Sequence, residues 1–160
     1  MKKKRLLAVL FILLLLLCGC SSDPKNFSVQ ELTITLTKEF TEAPLSRFDI
    51  YLESDDVLFS AVKEYASDFE YLGYEIASLK DYSLEIVELN EASQSALKTR
   101  NDYYYFINTG ISAGASYTYV HCMFEGTGSY WVCEFVCKTK NYDHLKDKIF
   151  QWADSIVISK

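Results

Sequence analysis

Hydrophobic and polar positions alternate with a period of two over several segments of the first half of the chain. The Leu-Thr-Ile-Thr-Leu-Thr sequence at positions 32–37 is typical of a half-buried strand, and we predict a strand over residues 27–37. The alternation returns over residues 48–53 and predicts a second strand. A third strand is predicted over residues 57–64, after a turn signal.

The second half of the chain contains a cluster of further predicted strands. They lie at residues 102–109, 116–124 and 129–138, with weaker edge strands at 96–100 and 155–159. Turns at residues 110–115 and 125–128 connect the three longer strands. Along residues 129–138 and their neighbour, one face is apolar throughout, which indicates that it faces the core.

Helical spacing replaces the alternation in three places. Apolar residues three or four positions apart predict a helix that begins after Ser78, a capping residue, and ends near Asn90. A second helix over residues 141–154 carries one apolar stripe. Gly73 is expected to end a short helix over residues 66–72.

These elements predict an α+β fold, an antiparallel β-sheet with helices packed on it. The Leu-Thr-Ile-Thr-Leu strand at 32–36, Phe40 shortly after it and the Trp-Ala-Asp-Ser-Ile helix end at 152–156 occur in an order that resembles PsbP/Mog-like domains. The pattern is most similar to that of small Gram-positive lipoproteins. The resemblance covers residues 27–160 and implies an α/β/α sandwich that acts as a binding or accessory domain without catalysis. The shared positions are hydrophobic, so no functional residue can be carried over.

The N-terminal segment has the three parts of a secretory signal. Four basic residues precede an apolar run from Leu6 to Leu17, and the Leu-Cys-Gly-Cys segment at 17–20 resembles the bacterial lipoprotein box. The apolar run is shorter than the ~20 residues that a membrane-spanning helix needs. The resemblance implies cleavage after residue 19 and acylation of Cys20, and two or more acyl chains anchor a protein stably. A cleaved signal and a free secreted protein are the alternative.

The charge and length of residues 20–160 exclude some classes of protein. The chain has 16 basic and 22 acidic residues, and four basic residues lie in the signal, so the remainder has a net charge of −10. An acidic body argues against nucleic acid as a partner, because phosphate backbones require a basic footprint. We expect a lipidated tether over residues 20–26 and a single domain over residues 27–160, on the extracytoplasmic face of the cell membrane.

Three cysteines follow Cys20 in the sequence. No Cys-x-x-Cys spacing occurs, which excludes a zinc knuckle and a thioredoxin motif. Cys133 and Cys137 lie on one face of a strand, too far apart to bridge. Cys122 and Cys133 could face each other across a hairpin, either as a disulfide or, with Cys137, as small buried apolar residues.

Tyrosines concentrate on the other face of the same predicted strands, which we call the tyrosine face. Its members are Tyr117, Tyr119, His121, Met123 and Tyr130. With an even-register hairpin, Tyr103 and Tyr105 are expected to join them. The tyrosine face is then either an aromatic platform for a glycan, a peptide or a protein, or ordinary packing beneath the helix that follows Ser78.

No pattern of catalytic or cofactor-binding residues is found. His121 and His144 lack the His-x-x-x-His spacing of zinc proteases, and no Gly-x-Ser-x-Gly elbow occurs. The two glycines at 126 and 128 lie in a predicted turn between strands, not before a helix as in a phosphate loop. We therefore expect no enzyme activity and no cofactor.

The sequence favours a non-enzymatic lipoprotein that contacts the bilayer through Cys20 and binds an envelope protein or glycan. A small-molecule capture lipoprotein is the alternative, although 141 residues are few for a two-lobed capture protein. An envelope hydrolase is less favoured, because the nucleophile and metal patterns are missing.

Overall fold

A computed structural model describes residues 23–159, so the expected signal peptide and the expected lipidation site, Cys20, lie outside the described residues. The strands are β1 (Pro24–Val29), β2 (Leu32–Thr37), β3 (Thr41–Glu42), β4 (Ile50–Glu53), β5 (Val57–Tyr65), β6 (Lys98–Arg100), β7 (Tyr103–Ser112), β8 (Ala115–Gly126), β9 (Ser129–Lys138) and β10 (Val157–Ile158). The helices are α1 (Ala66–Leu72), α2 (Leu79–Leu89) and α3 (Tyr142–Ala153), with short 3-10 turns at Gln94–Ala96 and Thr139–Asn141.

The strands form two antiparallel sheets. The small sheet has the order β1-β2-β10, and the large sheet has the order β3-β4-β5-β9-β8-β7-β6. Every neighbouring pair is antiparallel. Two antiparallel sheets with helices confirm the predicted α+β class.

The main core lies on one face of the large sheet, beneath the small sheet and α3. Trp131 and Phe135 point into it from β9, and Trp152 of α3 lies edge-on to Phe40 at 5.1 Å between ring centroids. Period-two alternation puts every second side chain of β8 and β9 on this face, which confirms the predicted core face. Each fully buried aromatic or aliphatic side chain contributes about 1.5–3 kcal/mol to the free energy of unfolding.

A second, smaller core lies on the opposite face, beneath α2. Ser78 caps this helix by accepting a hydrogen bond from the Asp81 backbone N–H at 3.2 Å, as its capping position predicts. Tyr82 and Val87 are fully buried, while Leu89 on the other side of the helix is exposed. One apolar stripe therefore decides which side of α2 meets the sheet.

We predicted one strand over residues 27–37, and the structure instead has a hairpin of two strands, β1 and β2. Gln30 has a φ of 49°, a left-handed conformation that ends β1, and β2 then runs back beside it. Pro24 opens β1, so residues 24–26 belong to the small sheet and not to the tether that we expected. Six cross-strand pairs hold the two strands together.

The predicted helix over residues 66–72 is confirmed, and Gly73 ends it in the left-handed conformation at φ 84°. Among residues 23–159, no helix is long and apolar enough to cross a membrane.

Candidate functional site

Helix α2 covers half of the tyrosine face. Met123 is fully buried and Tyr130 nearly so, and Phe106 of β7 joins them in the second core. Tyr82 of α2 stacks on Tyr130, with ring centroids 4.3 Å apart. For this half, the packing interpretation of the tyrosine face holds, and Tyr130 does not lie at the surface.

Tyr103 and Tyr105 do not lie on the tyrosine face, so their predicted place was wrong. Tyr105 is the cross-strand partner of Cys122, which points into the main core. Tyr103 is buried there and stacks on Phe124 at 4.7 Å between ring centroids. Their side chains therefore pack on the opposite face of the large sheet.

A two-residue turn explains this difference in register. β7 runs on to Ser112 and β8 begins at Ala115, so only Ala113 and Gly114 form the turn, both with positive φ. Such a turn pairs odd-numbered residues of one strand with even-numbered residues of the other, and a shift of one residue moves every side chain to the other face. The place expected for Tyr103 and Tyr105 required an even register, and only a turn with an odd number of residues gives that register.

The other half of the tyrosine face is an open groove of about 300 Å³. Tyr117 and Tyr119 of β8 line it, beside Glu134 and Val136 of β9 and Leu58 of β5. All of these side chains are half-buried. We call this cavity the aromatic groove; its remaining lining residues are Arg47, Phe48, Tyr51, Ser60 and Ser112.

The wall of the aromatic groove is a stack of flat side chains. Phe48 lies against Tyr51 with ring centroids 5.5 Å apart and an interplanar angle of 21°. Arg47 places its guanidinium over the Phe48 ring, 4.7 Å from the centroid. These contacts attach the loop before β4 to the large sheet through Tyr51, so the groove has a side wall as well as a floor.

A buried histidine supports the floor of the groove. The His121 ring is sandwiched between Phe106, at 4.4 Å between centroids, and Tyr119, at 6.2 Å. Its Nδ1 lies 3.1 Å from Glu134 Oε2, and its Nε2 lies 3.1 Å from the Asn108 side chain. A neutral imidazole has one N–H and can donate it to only one of these two groups, and the ring contacts of His121 position Tyr119.

Burial sets the charge of this pair at neutral pH. Burial lowers the pKa of His121 to about 4. Burial raises the pKa of Glu134 to about 6, and nearby Arg47 opposes that rise. The imidazole is then neutral while Glu134 is ionised, so the groove presents one carboxylate and one guanidinium among aromatic rings.

The geometry around His121 does not match that of a general base. Its ring is only 3% exposed, and a base needs a nitrogen within reach of the group it deprotonates. His144 is exposed on α3, away from the groove. Within the described part of the chain, no three His, Cys, Asp or Glu side chains come together in a way that could hold a metal ion.

Sequence reasoning missed the groove wall and its carboxylate. Arg47 and Phe48 lie in the loop before β4, and no local signal shows that this loop lies beside β8. Glu134 had a detectable signal, because it is an acidic residue within an otherwise apolar alternating strand. Tyr51 lies between the buried residues Ile50 and Leu52 of β4, so its side chain points to the other face of the sheet, where the groove lies.

Comparisons with known proteins identify the fold. No family model matches the chain, and no curated protein sequence matches it. The solution structure of the cyanobacterial PsbP protein (CyanoP) from Synechocystis is similar, with a TM-score of 0.52 and 13% identity over 89% of this chain and 97% of that one. A crystal structure from Bacteroides thetaiotaomicron has a TM-score of 0.55 and 15% identity over 85% of this chain. This chain matches only 48% of the Bacteroides protein, about half of its length. At these identities, the likeness shows a PsbP-like fold alone.

Proposed function

We propose that this chain is a lipoprotein of a Gram-positive type of cell, anchored by acylated Cys20 on the extracytoplasmic face of the membrane. It binds an envelope protein or glycan through the aromatic groove and carries out no catalysis. The observation that carries the proposal is the uncovered half of the tyrosine face, where Tyr117 and Tyr119 lie beside a built aromatic wall. Tyrosine is favoured at binding surfaces because it combines an apolar ring with a polar tip.

The position of the groove relative to the proposed anchor supports this function. Cys20 is four residues before Pro24, a reach of at most about 14 Å. Pro24 pairs with Thr37 at the end of β2. Glu39, two residues later, shares a cavity with the turn at residues 54–56, and that turn shares another cavity with Tyr117. The start of β1 and the Tyr117 end of the groove therefore lie toward the same end of the domain, which supports a ligand near the membrane surface.

Small-molecule capture is a second candidate because of the size of the groove. Its volume of about 300 Å³ lies at the lower end of the range of ~300–1,000 Å³ for small-molecule pockets. A captured substrate would lie between the Phe48 wall and the Tyr119 ring. A pocket that bound small molecules tightly would also bury most of their surface, and an open groove buries less.

Photo-crosslinking in intact cells tests the proposed binding. A photoreactive residue at position 119 of the full chain probes the groove, and one at Thr127, in the exposed turn between β8 and β9, is the matched control. We expect one dominant crosslinked envelope protein or glycan from position 119 that is absent from position 127. Loss of that product in a Phe48→Ser chain would place the contact in the groove. The same products from both positions, or none from position 119, would contradict the proposal.

The anchor is tested separately from the groove. We expect the protein in the membrane fraction, with the mass of acyl chains on its N-terminal Cys20 peptide. A Cys20→Ser chain is expected to lose both the added mass and the membrane association. A wild-type chain that is recovered without added mass from the culture medium would instead support the ordinary signal peptide.

A further inference from the structure

A second exposed apolar surface lies around the short helix α1. It consists of Tyr65, Tyr71, Leu72 and Tyr74, with exposed fractions of 49%, 91%, 67% and 45%, and we call it the α1 patch. No residue of α1 is fully buried. The other large exposed apolar side chains within residues 23–159 are scattered singly along the sequence. Exposed apolar residues that occur together are typical of interaction sites, whereas single ones need no explanation.

The α1 patch is displayed by a fixed backbone. Phe69, on the inner side of α1, packs edge-on against Tyr82 of the second core at 5.6 Å between centroids. Gly73 caps the helix, and the Tyr74 N–H donates to the Phe69 carbonyl at 2.9 Å. A partner would therefore order few groups of the α1 patch on binding, which lowers the entropic cost of association.

The sequence that contains the α1 patch is strongly acidic, although the Lys63 ammonium lies 5.0 Å from the centroid of the Tyr65 ring. Residues 64–91 contain eight acidic residues and one basic residue, Lys80, a net charge of −7 within 28 residues. The eight are Glu64, Asp68, Glu70, Glu75, Asp81, Glu85, Glu88 and Glu91. The ion pairs found within residues 23–159 all use other carboxylates. Most of the net charge that the chain carries beyond its signal is thus gathered in one segment and left uncompensated.

The α1 patch is separate from the aromatic groove. α1 begins where β5 ends, and its first N–H donates to the Gly128 carbonyl in the turn between β8 and β9 at 3.1 Å. Ser60, the groove residue of β5 nearest to α1, lies five residues before Tyr65 on the same strand, a distance of roughly 17 Å along the strand. One ligand of modest size therefore cannot cover both surfaces.

We propose that the α1 patch is the docking surface for a basic protein segment whose Lys or Arg residues alternate with apolar side chains. The apolar side chains pack on Tyr71 and Leu72, and the cations pair with the surrounding carboxylates and lie over the exposed tyrosine rings. Complementary charge selects this occupant over an acidic one and raises the association rate at low salt.

A photo-crosslinking titration tests this docking surface. The full chain carries a photoreactive residue at position 71, or at Ile111 as a control that is 83% exposed and lies in the β7–β8 hairpin. Both proteins are titrated in solution with a labelled ten-residue peptide of alternating Lys and Tyr. We expect saturable crosslinking from position 71, with at least tenfold less product from position 111. Peptides of alternating Lys and Ser, or Glu and Tyr, are expected to bind at least tenfold more weakly.

Matched charge variants test whether the peptide binds at the α1 patch or is attracted by the acidic domain as a whole. Asp68→Asn, Glu70→Gln and Glu75→Gln together are expected to weaken peptide binding about tenfold in low salt. The control combines Glu39→Gln, Asp55→Asn and Asp56→Asn, three exposed acidic residues at the opposite end of β5, and is expected to bind as wild type does. Equal weakening by both triple variants, equal binding of the Lys-Ser peptide, or no saturable product at position 71 would each overturn the proposal. None of these outcomes depends on the groove or on Cys20.

Discussion

Tyr82 of α2 lies flat against Tyr130 of β9, with ring centroids 4.3 Å apart and ring planes 11° apart. Its hydroxyl donates to Glu64 Oε2 at 2.5 Å. Burial, with the Glu64 carboxylate beside it, raises the pKa of Tyr82 well above its usual range, so the hydroxyl stays protonated. This contact closes one half of the tyrosine face and leaves the aromatic groove as the accessible half.

Replacing Tyr82 with Phe tests how strongly this contact holds α2 on the sheet. Tyr82→Phe keeps the ring stack and removes a hydrogen bond to a charged acceptor, so we expect a loss of about 1.5–3 kcal/mol in the free energy of unfolding. Urea denaturation measures it. The matched control, Tyr71→Phe on the exposed side of α1, is expected to change stability by less than about 0.5 kcal/mol. Equal effects of the two changes would contradict a special role for Tyr82.

The turn that sets the register of β7 and β8 contains a residue in a costly conformation. Ala113 has a φ of 49°, and the left-handed region costs an ordinary L-residue about 1–2 kcal/mol. Asn tolerates that region, and Asn-Gly is favoured in two-residue hairpin turns, so Ala113→Asn is expected to stabilise the protein by about 0.5–1 kcal/mol. Gly114, at φ 77°, provides the opposite test, since Gly114→Ala is expected to destabilise by about 1 kcal/mol. Thermal unfolding of both variants shows whether each change raises or lowers the stability as expected.

His121 and Glu134 are expected to make opposite contributions to the pH dependence of stability. The folded pKa of His121, about 4, lies below its usual 6.5. Its contribution is therefore complete above pH 6.5 and is lost as pH falls through 4. The folded pKa of Glu134, about 6, lies above its usual 4.5. Its contribution is complete below pH 4.5 and is lost as pH rises through 6.

Two single variants separate these contributions. Between pH 7 and pH 5, we expect His121→Gln to gain about 2 kcal/mol of stability relative to wild type, because it lacks the histidine whose neutral form the fold prefers. Glu134→Gln is expected to lose about 1 kcal/mol relative to wild type over the same range. Urea denaturation at both pH values gives the two differences. Changes of the same sign would show that burial does not control the pair.

The three cysteines beyond Cys20 are free and buried in the main core. Burial raises the pKa of Cys122, Cys133 and Cys137, which suppresses the reactive thiolate. We expect no modification of these residues by a thiol reagent in the native protein, and modification of all three on unfolding without reductant. Peptide mass spectrometry counts them. An unmodified Cys122–Cys133 pair, lighter by two hydrogens, would favour the disulfide alternative.

The local patterns of the sequence predicted most of the elements correctly. Ser78 begins α2, Gly73 ends α1, and the alternation in β9 assigns Trp131 and Phe135 to the core, because each depends on residues close in sequence. The site was predicted less completely. Tyr117 and Tyr119 line the groove, but Tyr130 lies under a helix and Tyr103 and Tyr105 pack on the opposite face.

The sequence by itself determined most of the secondary structure, the α+β class and the core face of β8 and β9, because periodicity, capping and turn residues act over a few neighbouring positions. Only the tertiary structure decided which tyrosines share a face, since that depends on the two-residue turn at Ala113 and Gly114. It also decided which half of the tyrosine face α2 covers, and it placed Arg47 and Phe48 beside Tyr119. Those outcomes depend on contacts between residues far apart in the chain, and no local pattern encodes such contacts.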